Sequence, residues 1–247
     1  MSTQRSAIIP ASSGPVKYWP EAATAFLICA LATTIALIAA GRSLGLVFGG
    51  QFIAVLVIPP LTAGRPRQRM PIAYAAVGGI ALVWLCLIGP NKATAFQWAS
   101  ITLILAALAI TSTGLSTFLE RLRFPTFLAS ALNITFMMTW LTWPIWLPPQ
   151  LTNVDSHRLI DCLVQIHPPL ASNGILTFTP PWTEQTIAYH LTILDQDVPI
   201  RLPATAWPSI LAHFLLGTVL LAVIYRKSES TSGAKTAAEN RQDMGPT

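Results

Sequence analysis

The side chains able to do chemistry are concentrated in one polar stretch, residues 148–205. Three of the four histidines and five of the ten acidic residues lie there. The candidate metal ligands are His157, His190, Asp195 and Asp197. Imidazole and carboxylate groups are common protein ligands of divalent metals. The spacing of these four residues matches no established ligand motif, so a metal site remains one hypothesis and its absence the other.

His167 and His213 form a second candidate pair. His213 lies inside an apolar block, about two turns from its start. An ionisable residue within a membrane span is by default a functional hypothesis, and together the two rings could ligate a haem or bind a quinone head group. The alternative is that His213 hydrogen-bonds to the polar stretch beside it. The identity of any cofactor is therefore unknown at this point.

The elements that must position these residues are apolar helices. The chain of 247 residues is 53% hydrophobic and 10% charged, whereas soluble domains carry about 25% charged residues. Blocks of about twenty apolar residues match the thickness of a bilayer. We therefore predict an all-α, polytopic membrane protein with six spans. They lie at about 22–40, 44–62, 72–89, 97–119, 127–147 and 207–225.

The basic residues orient these spans. Of those that flank the spans in short segments, only Arg42 and Lys92 lie on one side. The nine on the other side are Arg5, Lys17, Arg65, Arg67, Arg69, Arg121, Arg123, Arg226 and Lys227. Lysine and arginine accumulate in cytoplasmic loops, so both termini are predicted to be cytoplasmic. Short loops in a compact chain favour a bacterial inner membrane.

Three regions follow from these spans. Residues 1–21 form a cytoplasmic N-terminal segment, 22–226 the membrane domain, and 227–247 a cytoplasmic tail. The tail is rich in Ser, Thr and Ala and has no aromatic residue, a composition typical of disorder.

Residues 148–205 are predicted to form a small helical cap on the outer side, between spans five and six. Asp155 or Ser156 can cap a first amphipathic helix that ends at His167. Ser172-Asn173-Gly174 has the composition of a turn, and a second helix is expected over 183–194. Both helices need an apolar surface to cover, so the cap is expected to lie on the bundle.

Small and polar residues within the spans predict helix contacts. Gly41, Gly45 and Gly49 recur every four residues, which places them on one face and favours close packing of the second span on the first. Gln51 and Asn133 are expected to hydrogen-bond between helices. The arginines between residues 64 and 69 are interpreted as a topology signal.

Several functional classes lack their sequence signals. No phosphate-binding glycine loop, nucleophile elbow or zinc-protease motif occurs. The predicted span interiors contain no Asp, Glu, Lys or Arg, which argues against a carrier built on buried carboxylates. The basic residues lie beside the spans, and this distribution argues against a nucleic-acid partner. If ATP drives this protein, another chain hydrolyses it.

Six spans, cytoplasmic termini and a helical insertion between spans five and six are similar to the layout of ABC-2-type export permeases. The likeness is one of topology, without a shared motif. It implies a non-catalytic, permease-like subunit of a larger assembly in the lipid bilayer, with other protein subunits that include a cytoplasmic ATPase.

Three alternatives stay open. The chain could be a scaffold or assembly protein, or a haem- or quinone-binding redox subunit that uses His167 and His213. It could also be a membrane enzyme with Asp195, Asp197 and His167 or His190 in its active site.

Overall fold

The computed structural model describes residues 19–40, 45–65, 68–88, 93–146, 157–176 and 202–223. Eight helices and no strand occur in these ranges, which confirms the all-α prediction. They are α1 (Trp19–Ala40), α2 (Gly45–Thr62), α3 (Arg69–Ile88), α4 (Ala95–Arg121), α5 (Thr126–Trp146), α6 (His157–Ile166), α7 (Pro168–Leu176) and α8 (Trp207–Val223).

Among the described residues, three helices are long and apolar enough to cross a membrane. They comprise Trp19–Ala36 in α1, Arg69–Cys86 in α3 and all of α4. The helices α2 and α8 provide shorter apolar segments, Gly49–Thr62 and Trp207–Val223. Among the described residues, α5 is not one of these apolar segments. The six predicted spans thus coincide with six helices, and the crossing of a bilayer by all six remains a prediction.

The first four helices pack around one apolar core. The α1 helix lies mainly against α3, and α2 contacts α1, α3, α4 and α5. Trp84, Ile80 and Ile58 are fully buried at the centre of this core. By contrast, α1 and α8 expose faces of large apolar residues, with Leu31 63% and Leu215 59% exposed. Water-soluble proteins rarely leave such faces uncovered, whereas a lipid environment accommodates them.

The α8 helix is held against α4 by two glycines. A side chain added at Gly114 would place its Cβ 2.9 Å from the carbonyl oxygen of Gly217. One added at Gly217 would lie 2.8 Å from the carbonyl carbon of Ile110. Because backbone atoms cannot move away as flexible side chains can, both positions require glycine. This crossing brings α8 to α4 although about a hundred residues separate them.

The predicted glycine contact in α2 is wrong where the structure describes it. A Cβ at Gly49 would have no atom within 4 Å. The close approach is made one residue later, where Gly50 lies directly on the indole ring of Trp84 in α3. Spacing by four residues identifies a helix face, but it does not show which glycine on the helix meets a neighbour.

The structure describes only residues 157–176 and 202–205 of the predicted cap, and it differs from the prediction in one place. The first helix, α6, ends at Ile166 as expected, with Ile160 and Val164 buried and Leu159 exposed. The predicted turn at residues 172–174 is instead part of a second helix, α7. Prolines 168 and 169 begin that helix, because the first turn needs no backbone N–H donors and tolerates proline. The predicted helix at 183–194 lies outside the described residues.

Candidate functional site

The α7 helix is the unusual element of this fold because every one of its residues is buried. It contacts both α2 and α4. Its apolar side chains Ala171 and Ile175 pack against Ile104 of α4 and Ile210 of α8. This helix is therefore inserted among the long helices instead of lying on top of them.

Polar contacts fix the position of α7. The amide nitrogen of Gln51 donates to the Ser172 hydroxyl at 2.8 Å, and Gln97 donates from its side chain to the Ile175 carbonyl at 3.0 Å. Gly174 lies so close to the carbonyl of Pro203 that a Cβ there would overlap it. The interhelical role predicted for Gln51 is confirmed.

Trp140 of α5 joins the helix pair 157–176 to α8. Its ring centroid lies 5.7 Å from that of His167 and 6.1 Å from that of His213. Its indole Nε1–H donates to Nε2 of His213 at 3.0 Å. A second indole, Trp143, approaches His167 edge-on at 5.5 Å. The two histidines singled out by the sequence are thus brought together on one tryptophan.

The hydrogen bonds of His167 define its protonation state. Its Nε2 lies 3.2 Å from the carbonyl oxygens of both Trp140 and Leu141, and so it carries the hydrogen. Its Nδ1 accepts from the backbone N–H of Leu170. A second proton at Nδ1 would face that N–H, so the ring is held neutral. Burial lowers the pKa of His167 to about 3, and electrostatic repulsion from the nearby His213 ring adds to this lowering, while the hydrogen bonds to the Leu141 and Trp140 carbonyls oppose it.

His213 has the opposite tautomer. Its Nδ1 donates to the Ser209 carbonyl at 2.8 Å, which leaves Nε2 to accept from Trp140. The backbone carbonyl of His213 accepts from the Thr111 hydroxyl of α4 at 2.6 Å. Each ring nitrogen of both histidines therefore has a hydrogen-bond partner. Iron ligation by either ring would require one of these bonds to break, and the haem or quinone role remains a prediction.

A cleft of about 220 Å³ begins beside Trp140 and His213 and runs between α4, α5 and α8. Its lining is almost entirely apolar: Thr111, Phe136, Met137, Trp140, Ile166, Ala212, His213 and Leu216. Phe136 and Leu216 are about half exposed and form the mouth of the cleft. Ile166 ends α6, so the helix pair 157–176 forms part of the wall. The cleft suits an apolar group with few polar contacts.

The predicted metal site is only partly visible. His190, Asp195 and Asp197 lie outside the described residues, and for His157 only the backbone is described. Within the described ranges, no group of three or more His, Cys, Asp or Glu side chains is placed to hold a metal ion. The metal set remains a prediction.

One buried charge, Arg69, was not predicted from the sequence. Arg69 is 2% exposed and forms an ion pair with Glu120 of α4. It also donates to the Thr62 carbonyl and the Thr117 hydroxyl, and so ties together the ends of α2, α3 and α4. An arginine beside an apolar block with a glutamate at the end of another was the available signal, but charge counting assigned Arg69 to topology alone.

The second interhelical amide is confirmed. Asn133 of α5 donates to the Ser112 carbonyl at 2.8 Å and to the Ser116 hydroxyl at 2.6 Å, both in α4. This contact fixes α5 against α4 in the middle of both helices.

Comparison with models of known protein families, with curated proteins and with solved structures found no match.

Proposed function

We propose that this protein is an integral membrane subunit, permease-like and without an ATPase of its own, that moves an apolar or amphipathic substrate through the cleft between α5 and α8. Six helices cross the bilayer in this proposal, both termini are cytoplasmic, and the membrane is the bacterial inner membrane. Exposed apolar faces on α1 and α8 and the distribution of basic residues support this placement.

One observation carries the proposal. The wall of the cleft and the joint of the helix pair 157–176 meet at Trp140, which contacts both His167 and His213. If α7 moved away from its contacts with α2, α4 and α8, the end of the cleft that is lined by Trp140 and Ile166 would change shape. The helix pair is therefore proposed as the gate of the cleft on the outer side, and a partner ATPase on the inner side would supply the energy.

Topology is tested with the native cysteines. Cys162 on α6 is exposed, whereas Cys29 is buried. In a Cys29→Ala, Cys86→Ala variant, a membrane-impermeant maleimide added to intact cells should label Cys162. In a variant that also carries Cys162→Ala, a cysteine introduced at Arg121 should be labelled only after permeabilisation. Labelling of Arg121→Cys in intact cells would overturn the proposed orientation.

The transport role is tested on the purified assembly. Affinity purification from native membranes in mild detergent should yield a nucleotide-hydrolysing partner in stoichiometric amount. Ala212→Trp fills the cleft, and should reduce ATP hydrolysis by the assembly. Leu211→Trp is the matched control, because Leu211 is 52% exposed and does not line the cleft. Recovery of the chain alone, or equal activity of both variants, would contradict the transport role.

A redox subunit is the second candidate, and it is favoured by the meeting of His167 and His213 on Trp140. A haem absorption band in the purified protein that disappears in a His213→Gln variant would support it. Colourless protein from native membranes would count against haem.

A further inference from the structure

A second pocket lies between the first turns of α1 and α3 and the last turn of α2. It is at the opposite end of α2 from Gln51, which contacts α7. Its volume is about 310 Å³, and it is lined by Pro20, Glu21, Thr24, Leu61, Arg65 and Ile72. Unlike the cleft, it combines charged groups of both signs with an apolar wall. The proposed transport role uses none of these residues.

The two charged side chains of this pocket are not paired with each other. The only ion pair among the described residues joins Arg69 to Glu120. One carboxylate oxygen of Glu21, Oε2, is buried and has no hydrogen-bond partner within the described ranges. A buried carboxylate oxygen without a partner is costly, and native structures normally supply one. A cationic group entering the pocket would provide it.

The uncharged lining adds a second requirement. The Thr24 hydroxyl donates its hydrogen to the Pro20 carbonyl at 2.8 Å, so it can only accept from a ligand. Leu61 and Ile72 form the apolar wall. A ligand that suits the pocket would have a hydrogen-bonding cation for Glu21 and Thr24, an anion for Arg65, and an apolar part.

The surroundings place this pocket at the depth of lipid head groups. Trp19, 75% exposed, precedes the pocket residues of α1, and Tyr74, 49% exposed, follows those of α3. Tryptophan and tyrosine are enriched where hydrocarbon meets water. The pocket therefore opens at the inner interface in the proposed topology.

We infer that this pocket binds the head group of an aminophospholipid, with the phosphate at Arg65 and the primary ammonium at Glu21. Arginine is well suited to phosphate because its planar guanidinium can donate two parallel hydrogen bonds. A carboxylate distinguishes a primary ammonium from an uncharged head group by a charge-assisted hydrogen bond. This inference rests on the membrane placement proposed above and not on the transport role.

Native mass spectrometry of the full chain in mild detergent tests the inference. Phosphatidylethanolamine, phosphatidylglycerol and phosphatidylcholine with identical acyl chains are the probes. The wild-type protein should retain phosphatidylethanolamine about tenfold better than the other two, the factor expected for one charge-assisted hydrogen bond. The same head group could belong to a membrane lipid or to a soluble compound, and competition with glycerophosphoethanolamine separates the two. If it does not displace the bound lipid, the ligand is a membrane lipid. If it does, the ligand is a soluble phosphoethanolamine compound and the inference of a lipid site is wrong.

Two variants assign the roles of the charged residues. Glu21→Gln should abolish the preference for phosphatidylethanolamine, whereas Arg65→Gln should weaken the retention of all three phospholipids. Arg121→Gln removes an exposed charge near the same end of the bundle and should change nothing. An unchanged lipid preference in Glu21→Gln would overturn the inference. A protein that purifies from the aqueous fraction without detergent would instead overturn the membrane placement, so the two failures are distinguishable.

Discussion

The indole of Trp140 donates its hydrogen to Nε2 of His213 across the α5–α8 interface, at 3.0 Å. This hydrogen bond joins two residues, Trp140 and His213, that line one end of a mainly apolar cleft. It fixes the tautomer of His213. The same indole contacts His167 edge-on and so links the long helices to the helix pair 157–176.

Trp140→Phe should lower the free energy of unfolding by about 1–2 kcal/mol more than Trp143→Phe does, since it leaves a buried acceptor on His213 without a donor. Trp143 is the matched control because it is buried, also contacts His167 edge-on, and its indole nitrogen has no hydrogen-bond partner in the described ranges. Denaturation in mild detergent measures both variants, and equal losses would show that the bond contributes nothing.

Stability should fall on acidification because His167 is held neutral. Its pKa is about 6.5 when unfolded and about 3 when folded, so between these values the unfolded chain binds a proton that the folded chain does not. The contribution of His167 is complete above pH 6.5 and is lost toward pH 3, by up to about 1.4 kcal/mol per pH unit. His167→Gln keeps a donor for the two carbonyls and should flatten this dependence; an unchanged slope would contradict the assignment.

Alanine at the α4–α8 crossing should be strongly destabilising. Gly114→Ala and Gly217→Ala place a Cβ within 3 Å of backbone atoms, and overpacking of this kind costs about 1–3 kcal/mol. Gly49→Ala is the control, because its Cβ would meet no atom within 4 Å and alanine is the better helix former. Thermal unfolding in detergent should show a lower midpoint for the first two variants only.

Glu120→Gln should destabilise the end of the bundle where α2, α3 and α4 meet, because it leaves the buried guanidinium of Arg69 without its counter-charge. Removal of one partner from a buried pair costs about 3 kcal/mol, and less where the pair is partly exposed. Arg121→Gln changes an exposed charge on the next residue and is expected to have little effect. Equal unfolding curves for the two variants would show that Arg69 is adequately solvated without Glu120.

The predictable part of this fold is the part set by hydropathy. Long apolar runs predict the helix positions within a few residues, because helix length and composition depend on local sequence. Polar residues buried among them, Gln51 and Asn133, were expected to pair between helices and do so. Their hydrogen-bond partners, Ser172 and Ser112, could not be predicted, because they depend on how the helices pack and not on the neighbouring sequence.

The α7 helix shows where local rules fail. Ser172-Asn173-Gly174 favours a turn in water, where side chains compete for backbone hydrogen bonds. Buried among α2, α4 and α8, the same residues gain more by completing backbone hydrogen bonds within a helix, and Gly174 is needed for close contact with Pro203. From the sequence alone, a glycine that is needed for close backbone packing cannot be distinguished from a glycine that is needed for a turn.

The contact of Gly174 with Pro203 also has a consequence for biosynthesis. Part of the surface that buries α7 is formed by Pro203 and by Ile210 of α8. Both residues are synthesised after α7. Until these residues have packed, the buried Ser172 and Asn173 of α7 lack one side of their enclosure. The enclosure of α7 is therefore completed only when α8 has packed, and a chain truncated before residue 202 should be degraded faster than the full chain.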